Sequence, residues 1–186
     1  DRIRRLLVGN REDVAPTRGK LDEMLRGVEA SLWKAEERID AWALPDDGFE
    51  TVGRGLERTY RRARRSMKTA LKSYADEDLH EWRKRTKYHR YQIRLLRPLW
   101  EPLLEARRGE LHRMTDLLGE DHDLAVLRET LLEREPVQGL SDAVAAIDAK
   151  RSALQAGVPA LGRRLFAEKP RAFVGRLAAY AAVTGP

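Results

Sequence analysis

Six side chains between His80 and Arg94 have the types and spacing to hold an anion. His80, Arg83, Lys84, Lys87, Tyr91 and Arg94 fall at i, i+3, i+4, i+7, i+11 and i+14, a single stripe at the helical period. Trp82, Thr86, His89, Ile93 and Leu96 fall on the other side. The stripe contains no carboxylate, whereas a solvated helix face ordinarily answers its cations with acids one turn away. The stretch before it repeats the pattern. Arg54, Arg58, Arg61, Arg65, Lys68 and Lys72 recur at i, i+4, i+7, i+11, i+14 and i+18, opposite Leu56, Tyr60, Ala63, Met67, Ala70 and Tyr74. Arg54–Arg97 holds fifteen Lys+Arg against five Asp+Glu, a local +10 in a chain of +6, so the remainder is −4. One such run is ordinarily a solvated face. Two consecutive in-phase stripes, joined by the short link Ala75–Asp78, predict antiparallel helices that set both stripes along one basic groove or cavity. Such a groove focuses its field on a polyanion.

The elements that must position these stripes read as helix after helix. Asp1–Val8 resembles the tail of an earlier element. Thr17 is placed to cap a helix reaching about Ala43, with Leu21, Leu25, Val28, Leu32 and Ile39 near one side. Pro45-Asp46-Asp47-Gly48 is a turn. The first basic helix is expected over Glu50–Tyr74. Asp76 or Asp78 is expected to cap the second, with Glu81 completing a capping-box arrangement. Pro98 and Pro102 predict an end or kink, Gly119 a bend, and Gly157-Val158-Pro159 a further kink after a helix capped by Ser141. Pro170–Val183 is the last helix. The expected fold class is all-α, an antiparallel bundle of long helices.

Composition narrows the chemistry. The chain has 186 residues and no cysteine, which excludes disulfides, thiolate metal sites and a Cys nucleophile and suits a reducing cytoplasm. No run approaches the ~18 apolar residues of a membrane span, and there is no signal-peptide pattern. A pI near 9.8 favours acidic partners. No Walker-type loop or Glu-x-Glu-x-Lys pattern is present, so phosphate hydrolysis has no visible machinery and no catalytic residue is assigned. His122-Asp123, with His112 and Asp116, is too sparse a set for a metal centre. Asp116 and Glu120 are expected to neutralise neighbouring cations. Trp33, Trp42, Trp82 and Trp100 are expected as core or interface anchors.

The run LHEWRKRTKYHRYQIRLL resembles the signature of the CHAD family, the conserved-histidine α-helical domains. His80, Arg83, Lys84, Lys87, Arg90 and Tyr91 occupy the places of its motif. Tyr60–Leu71 is similar to the basic helix that precedes that His in the family. Leu111–Leu127, with His122-Asp123-Leu124, resembles its second helix, and Arg163–Tyr180 its C-terminal stretch. The likeness spans roughly Arg54–Tyr180. Such domains usually have two related halves, each opening with a His-bearing helix, and this sequence shows one. Residues 1–186 are therefore expected as one CHAD-like domain, with 1–45 a remnant of a first half and 48–186 the second. The resemblance implies non-catalytic binding of inorganic polyphosphate, without cofactor or metal, at cytoplasmic polyphosphate granules, where granule-associated proteins are further candidate partners. It also brings Arg90 and His122 into the expected site. The alternative is a helical nucleic-acid-binding protein. It has the charge, but the stripes lack the Asn, Gln and stacking aromatics of base readout, apart from Tyr91.

Overall fold

The computed structural model of the protein describes residues 18–43, 48–133 and 138–184. The readings at Thr17, Pro45–Asp47 and Pro136, and that of Asp1–Val8 as a helix tail, lie outside them. The chain divides into two compact units, Asp1–Pro45 and Asp46–Pro186. In the first, α1 spans Arg18–Asp40. Its apolar side chains Leu21, Leu25, Val28 and Leu32 are exposed, as are Trp33 and Trp42, so neither tryptophan is a core anchor.

The second unit carries the basic stripes on α2 (Phe49–Ser73) and α3 (Asp76–Leu95), a 3₁₀ turn at Arg97–Leu99, then α4 (Glu101–Leu132), α5 (Leu140–Leu165) and α6 (Pro170–Thr184). No strand occurs among the described residues, so the fold is all-α. Leu56, Tyr60, Ala63, Met67 and Ala70 are buried on α2, and Leu79, Trp82, Thr86, His89 and Ile93 on α3, the two faces that the periodicity marks.

Helix α2 stops at Tyr74, a non-glycine residue in the left-handed region (φ 51°) whose N–H donates to Ala70 O. The link to α3 is tied by Ser73, whose hydroxyl donates to Asp78 at 2.5 Å. That bond, with Tyr60 and His89 ring to ring at 5.3 Å, fixes α2 and α3 antiparallel. Ala75, not Asp76 or Asp78, stands at the N-cap of α3, without a side-chain cap. The first-turn acids Asp76, Glu77 and Asp78 instead meet the positive end of the helix dipole.

Three expected breaks are smaller than the sequence suggests. Pro98 gives only the 3₁₀ turn, and Pro102 sits in the first turn of α4, where its missing N–H costs nothing. Helix α4 runs unbroken through Gly119. Helix α5 starts after Gly139, not at Ser141, and runs through both Gly157 and Pro159. Gly139 has φ 84°, which suits a residue without Cβ.

Helices α4 and α5 are also antiparallel, through Arg128–Asp148 (2.8 Å) and Asp121–Arg151 (3.1 Å). Asp121 is buried and accepts from both Arg151 and Gln155, and Arg151 reaches on to Asp76 at the start of α3. One guanidinium thereby joins α3, α4 and α5. The core lies among α2 to α6, with Leu104, Leu111, Met114 and Leu118 as the share of α4. Trp82 is fully buried, and its ring lies so close over Gly162 that a Cβ there would stand 2.5 Å from Cζ2. Helix α6 returns to α2 by stacking Phe173 on Tyr60 at 4.4 Å.

A buried polar cluster sits at this closure. The Tyr60 hydroxyl donates to Glu168 O (3.2 Å), and Arg107 donates to Leu165 O (2.7 Å) with its guanidinium 4.6 Å from the Phe173 ring centre. Complete burial, reinforced by the Arg107 charge, holds His89 well below the ordinary imidazole range, so this ring is neutral.

Candidate anion-binding site

Periodicity alone gives α3 a basic face, and the packing decides which neighbour that face meets. Its flank with Glu81 and Arg85 lies toward α2, where a depression of about 390 Å³ is lined by Arg62, Arg65, Asp78, Glu81 and Arg85. Its flank with His80, Arg83 and Arg90 lies toward α4. The ring centres of His80 and His122 are 4.3 Å apart, Arg83 lies against Gly119, and Arg90 Nη1 is 2.8 Å from His112 Nδ1. These three contacts run in antiparallel register. The expectation that the stripes of α2 and α3 share one groove between those helices is therefore corrected. The α3 stripe borders the α3/α4 groove. The α2 stripe, Arg54, Arg58, Arg61, Arg65, Lys68 and Lys72, is exposed along the side of α2 opposite its buried face.

Along the α3/α4 groove the chemistry changes from end to end. At the His80 end a depression of about 690 Å³ is lined by His80, His122 and Arg128, with Asp76, Glu77 and Glu129 among its other walls. The two imidazoles are half-buried. Burial first, then His122, Arg83 and Lys84, push the His80 pKa below its ordinary value, against a smaller opposing pull from Glu81. Without an anion His80 therefore favours its neutral form.

Arg83 in the middle of the groove, and Lys87 one turn further along α3, form no ion pair with any described residue. Arg83 Nε is buried without a hydrogen-bond partner, because the side chain crosses α4 over the backbone of Gly119. Lys84 is different: it pairs with Glu81 at 2.5 Å, and Arg85 shares that carboxylate at 2.6 Å. Hydrogen bonding from Lys84 lowers the Glu81 pKa, so the carboxylate stays charged and partly cancels Lys84.

At the far end, Arg90, Tyr91, Arg94, Arg108 and His112 surround a small depression of about 160 Å³. His112 Nδ1 lies 2.8 Å from Arg90 and 3.0 Å from Asp116 Oδ1. A single nitrogen cannot serve both: its lone pair accepts from Arg90, or its N–H donates to Asp116. Arg90 Nη1 also reaches Thr115 Oγ1 at 3.5 Å. Glu120 pairs with Lys150, so it and Asp116 each face a cation or an imidazole.

Periodicity missed Arg108, His112 and Gly119 as parts of this groove. The signal was present. Once α3 and α4 are antiparallel, the pair His80 and His122 sets the register that brings Arg90 to His112 and Arg83 to Gly119.

Among the described residues no group of three or more His, Asp or Glu side chains is placed to hold a metal ion. None of their helices is long and apolar enough to cross a membrane. The family model of the CHAD domain matches residues 2–132. The chain belongs to the CHAD domain family. No curated protein and no solved structure matches it. The CHAD match takes in α2, α3 and α4 and hence all of the groove just described. Its limits differ from the likeness read at Arg54–Tyr180: it begins near the N-terminus and stops at the end of α4. Helices α5 and α6, which supply Gly162, Phe166 and Phe173 to the core, lie beyond it.

Proposed function

We propose that this CHAD domain binds inorganic polyphosphate, without catalysis, along the groove between α3 and α4. Its role is then to target or scaffold material at cytoplasmic polyphosphate granules. The residues that hold the ligand are His80, Arg83, Lys84, Lys87, Arg90, Tyr91 and Arg94 from α3 and His122 from α4. Arg108 and His112 extend the site at its far end. One observation carries the reading: Arg83 borders this groove with no carboxylate among the described residues to neutralise it, seated against the bare backbone of Gly119. Cations one turn apart repeat every 5–6 Å or so along the helix, which suits a ligand that is a string of charges with no bases to read. Arg offers two parallel hydrogen bonds to phosphate oxygens and Lys a compact charge.

The test is binding of long-chain polyphosphate at increasing salt, with duplex DNA as competitor at physiological salt. Phosphate contacts release counterions, so affinity should fall steeply with salt, and DNA should displace polyphosphate poorly. Replacing Arg83, Lys84 and Lys87 with Ala should remove most of the affinity while leaving helicity intact, since Ala is a better helix former. Salt-independent binding, or equal competition by DNA, would overturn the reading in favour of another ligand.

A further inference from the structure

The two basic stripes diverge. On α3 the cations lean toward α4, as the contacts of Arg83 and Arg90 show. On α2 the stripe of Arg54, Arg58, Arg61, Arg65, Lys68 and Lys72 is exposed throughout. Only Arg61 has an acidic partner among the described residues, Glu57 one turn away. Between the stripes, over the first half of α3, stand two carboxylates. Asp78 accepts from Ser73, and Glu81 is held ionised by Lys84 and Arg85. In the same depression Arg62, Arg65 and Arg85 balance these two carboxylates, so what separates the stripes is direction: one turns toward α4 and the other outward from α2. Each stripe is also long enough to act alone. Helical rise gives about 27 Å from Arg54 to Lys72 and about 21 Å from His80 to Arg94.

From this divergence we infer that the outer face of α2 is a second, independent track for inorganic polyphosphate. A single protein molecule then bridges two segments of polymer. The inference rests on the proposed function of the α3/α4 groove and adds a valency to it. Charge complementarity selects the occupant: the α2 face offers repeated cations and, in the stripe, no aromatic or amide for a base or peptide. Bridging gives a physical route to condensing polymer into a granule, because a divalent binder links chains where a monovalent one only coats them.

The experiment is a sandwich. Long-chain polyphosphate is fixed to a surface and saturated with protein at physiological salt. The washed layer is then offered fluorescent polyphosphate. Wild type should form the layer and capture the labelled chain. The variant Arg58→Gln, Arg65→Gln, Lys68→Gln, Lys72→Gln should still form the layer through the groove but lose about tenfold or more of the capture. Gln is close to Arg and Lys in helix propensity and the four sites are exposed, so circular dichroism should match wild type. If the wild-type layer forms and captures nothing, or if the quadruple variant captures as well as wild type, bridging by α2 is overturned while the groove reading stands. The latter result would point to self-association of groove-bound copies. If no layer forms at all, the groove reading falls and bridging falls with it.

Discussion

The guanidinium of Arg83 lies against the backbone of Gly119, so close that a methyl there would stand 3.1 Å from Nε and 3.2 Å from Nη2. Glycine in mid-helix normally costs about 1 kcal/mol relative to alanine. Here the missing Cβ provides the path by which Arg83 crosses α4. Gly119→Ala should therefore separate folding from binding. Thermal stability should stay within about 1 kcal/mol of wild type, while polyphosphate affinity falls roughly three- to tenfold as Arg83 is displaced. In an Arg83→Gln background the same change should have little further effect, since Gly119 acts only through Arg83. Full additivity of the two losses would refute that coupling.

His80 provides a pH test of the groove. Its pKa is depressed in the free protein, by burial first and then by His122, Arg83 and Lys84. A bound polyanion favours the protonated ring, so the bound pKa lies above the free one. Within that interval the complex holds more protons than the free protein, and affinity should rise as pH falls below about 6.5. His80→Gln should keep a donor and part of the binding but flatten this dependence, whereas His80→Ala should bind more weakly still. An unchanged profile in the Gln variant would transfer the role to His122.

His89 sets a different pH dependence, that of folding. It is buried and held neutral, so its folded pKa lies well below the value of about 6.5 expected when unfolded. As pH drops below that value the unfolded chain gains a proton that the native ring refuses. The contribution is complete above about pH 6.5 and is lost as pH falls, before the carboxylates begin to titrate near pH 5. Urea midpoints measured between about pH 7 and 5 should decline, and the decline should be shallower in His89→Leu. His80 contributes with the same sign, so the difference between the two proteins is the quantity to read.

Trp82 and Gly162 make a paired test of the core. Trp82→Ala should cost about 3–5 kcal/mol, since a fully buried large side chain is lost. Gly162→Ala should cost about 1–3 kcal/mol, because the added methyl meets the Trp82 ring at 2.5–2.8 Å. Combined, the two should cost less than their sum, since removing the ring makes room for the methyl. Denaturant unfolding of the three variants checks this.

The helices were legible wherever one face is apolar and the other charged. Expected Glu50–Tyr74 against observed Phe49–Ser73 is a shift of one residue at each end. Glycine and proline misled the reading in the interior of α4 and α5. At Gly119 the apparent flaw is a seat for an arginine. At Pro159 the neighbours Val158, Leu161 and Gly162 are packed into the core, so tertiary burial outweighs the lost backbone hydrogen bond. The face of α3 was legible, but not the helix beside it. The period of a helix says which residues point together and nothing of who stands opposite. For that reason Arg108 and His112 stayed hidden until the register was fixed. The acids were misread for a related reason. Asp78 and Glu81 have the spacing of capping groups, yet they accept bonds from Ser73, Lys84 and Arg85.

The stacking of Phe173 on Tyr60 has a consequence for the order in which the chain assembles. Helices α2 to α5 pair with their neighbours in sequence, across short links, so these contacts are cheap in loop-closure entropy and form early. The α2–α6 closure joins partners far apart in the chain: the Tyr60 hydroxyl meets the Glu168 carbonyl across 108 positions. During synthesis α2 emerges before α6, and the side of Tyr60 that Phe173 covers must wait until more than a hundred further residues have followed. Contacts that form last govern how quickly the molecule comes apart and barely affect how quickly it folds. Substitutions at the Phe173–Tyr60 contact are thus expected to speed unfolding more than they slow folding, without touching the groove.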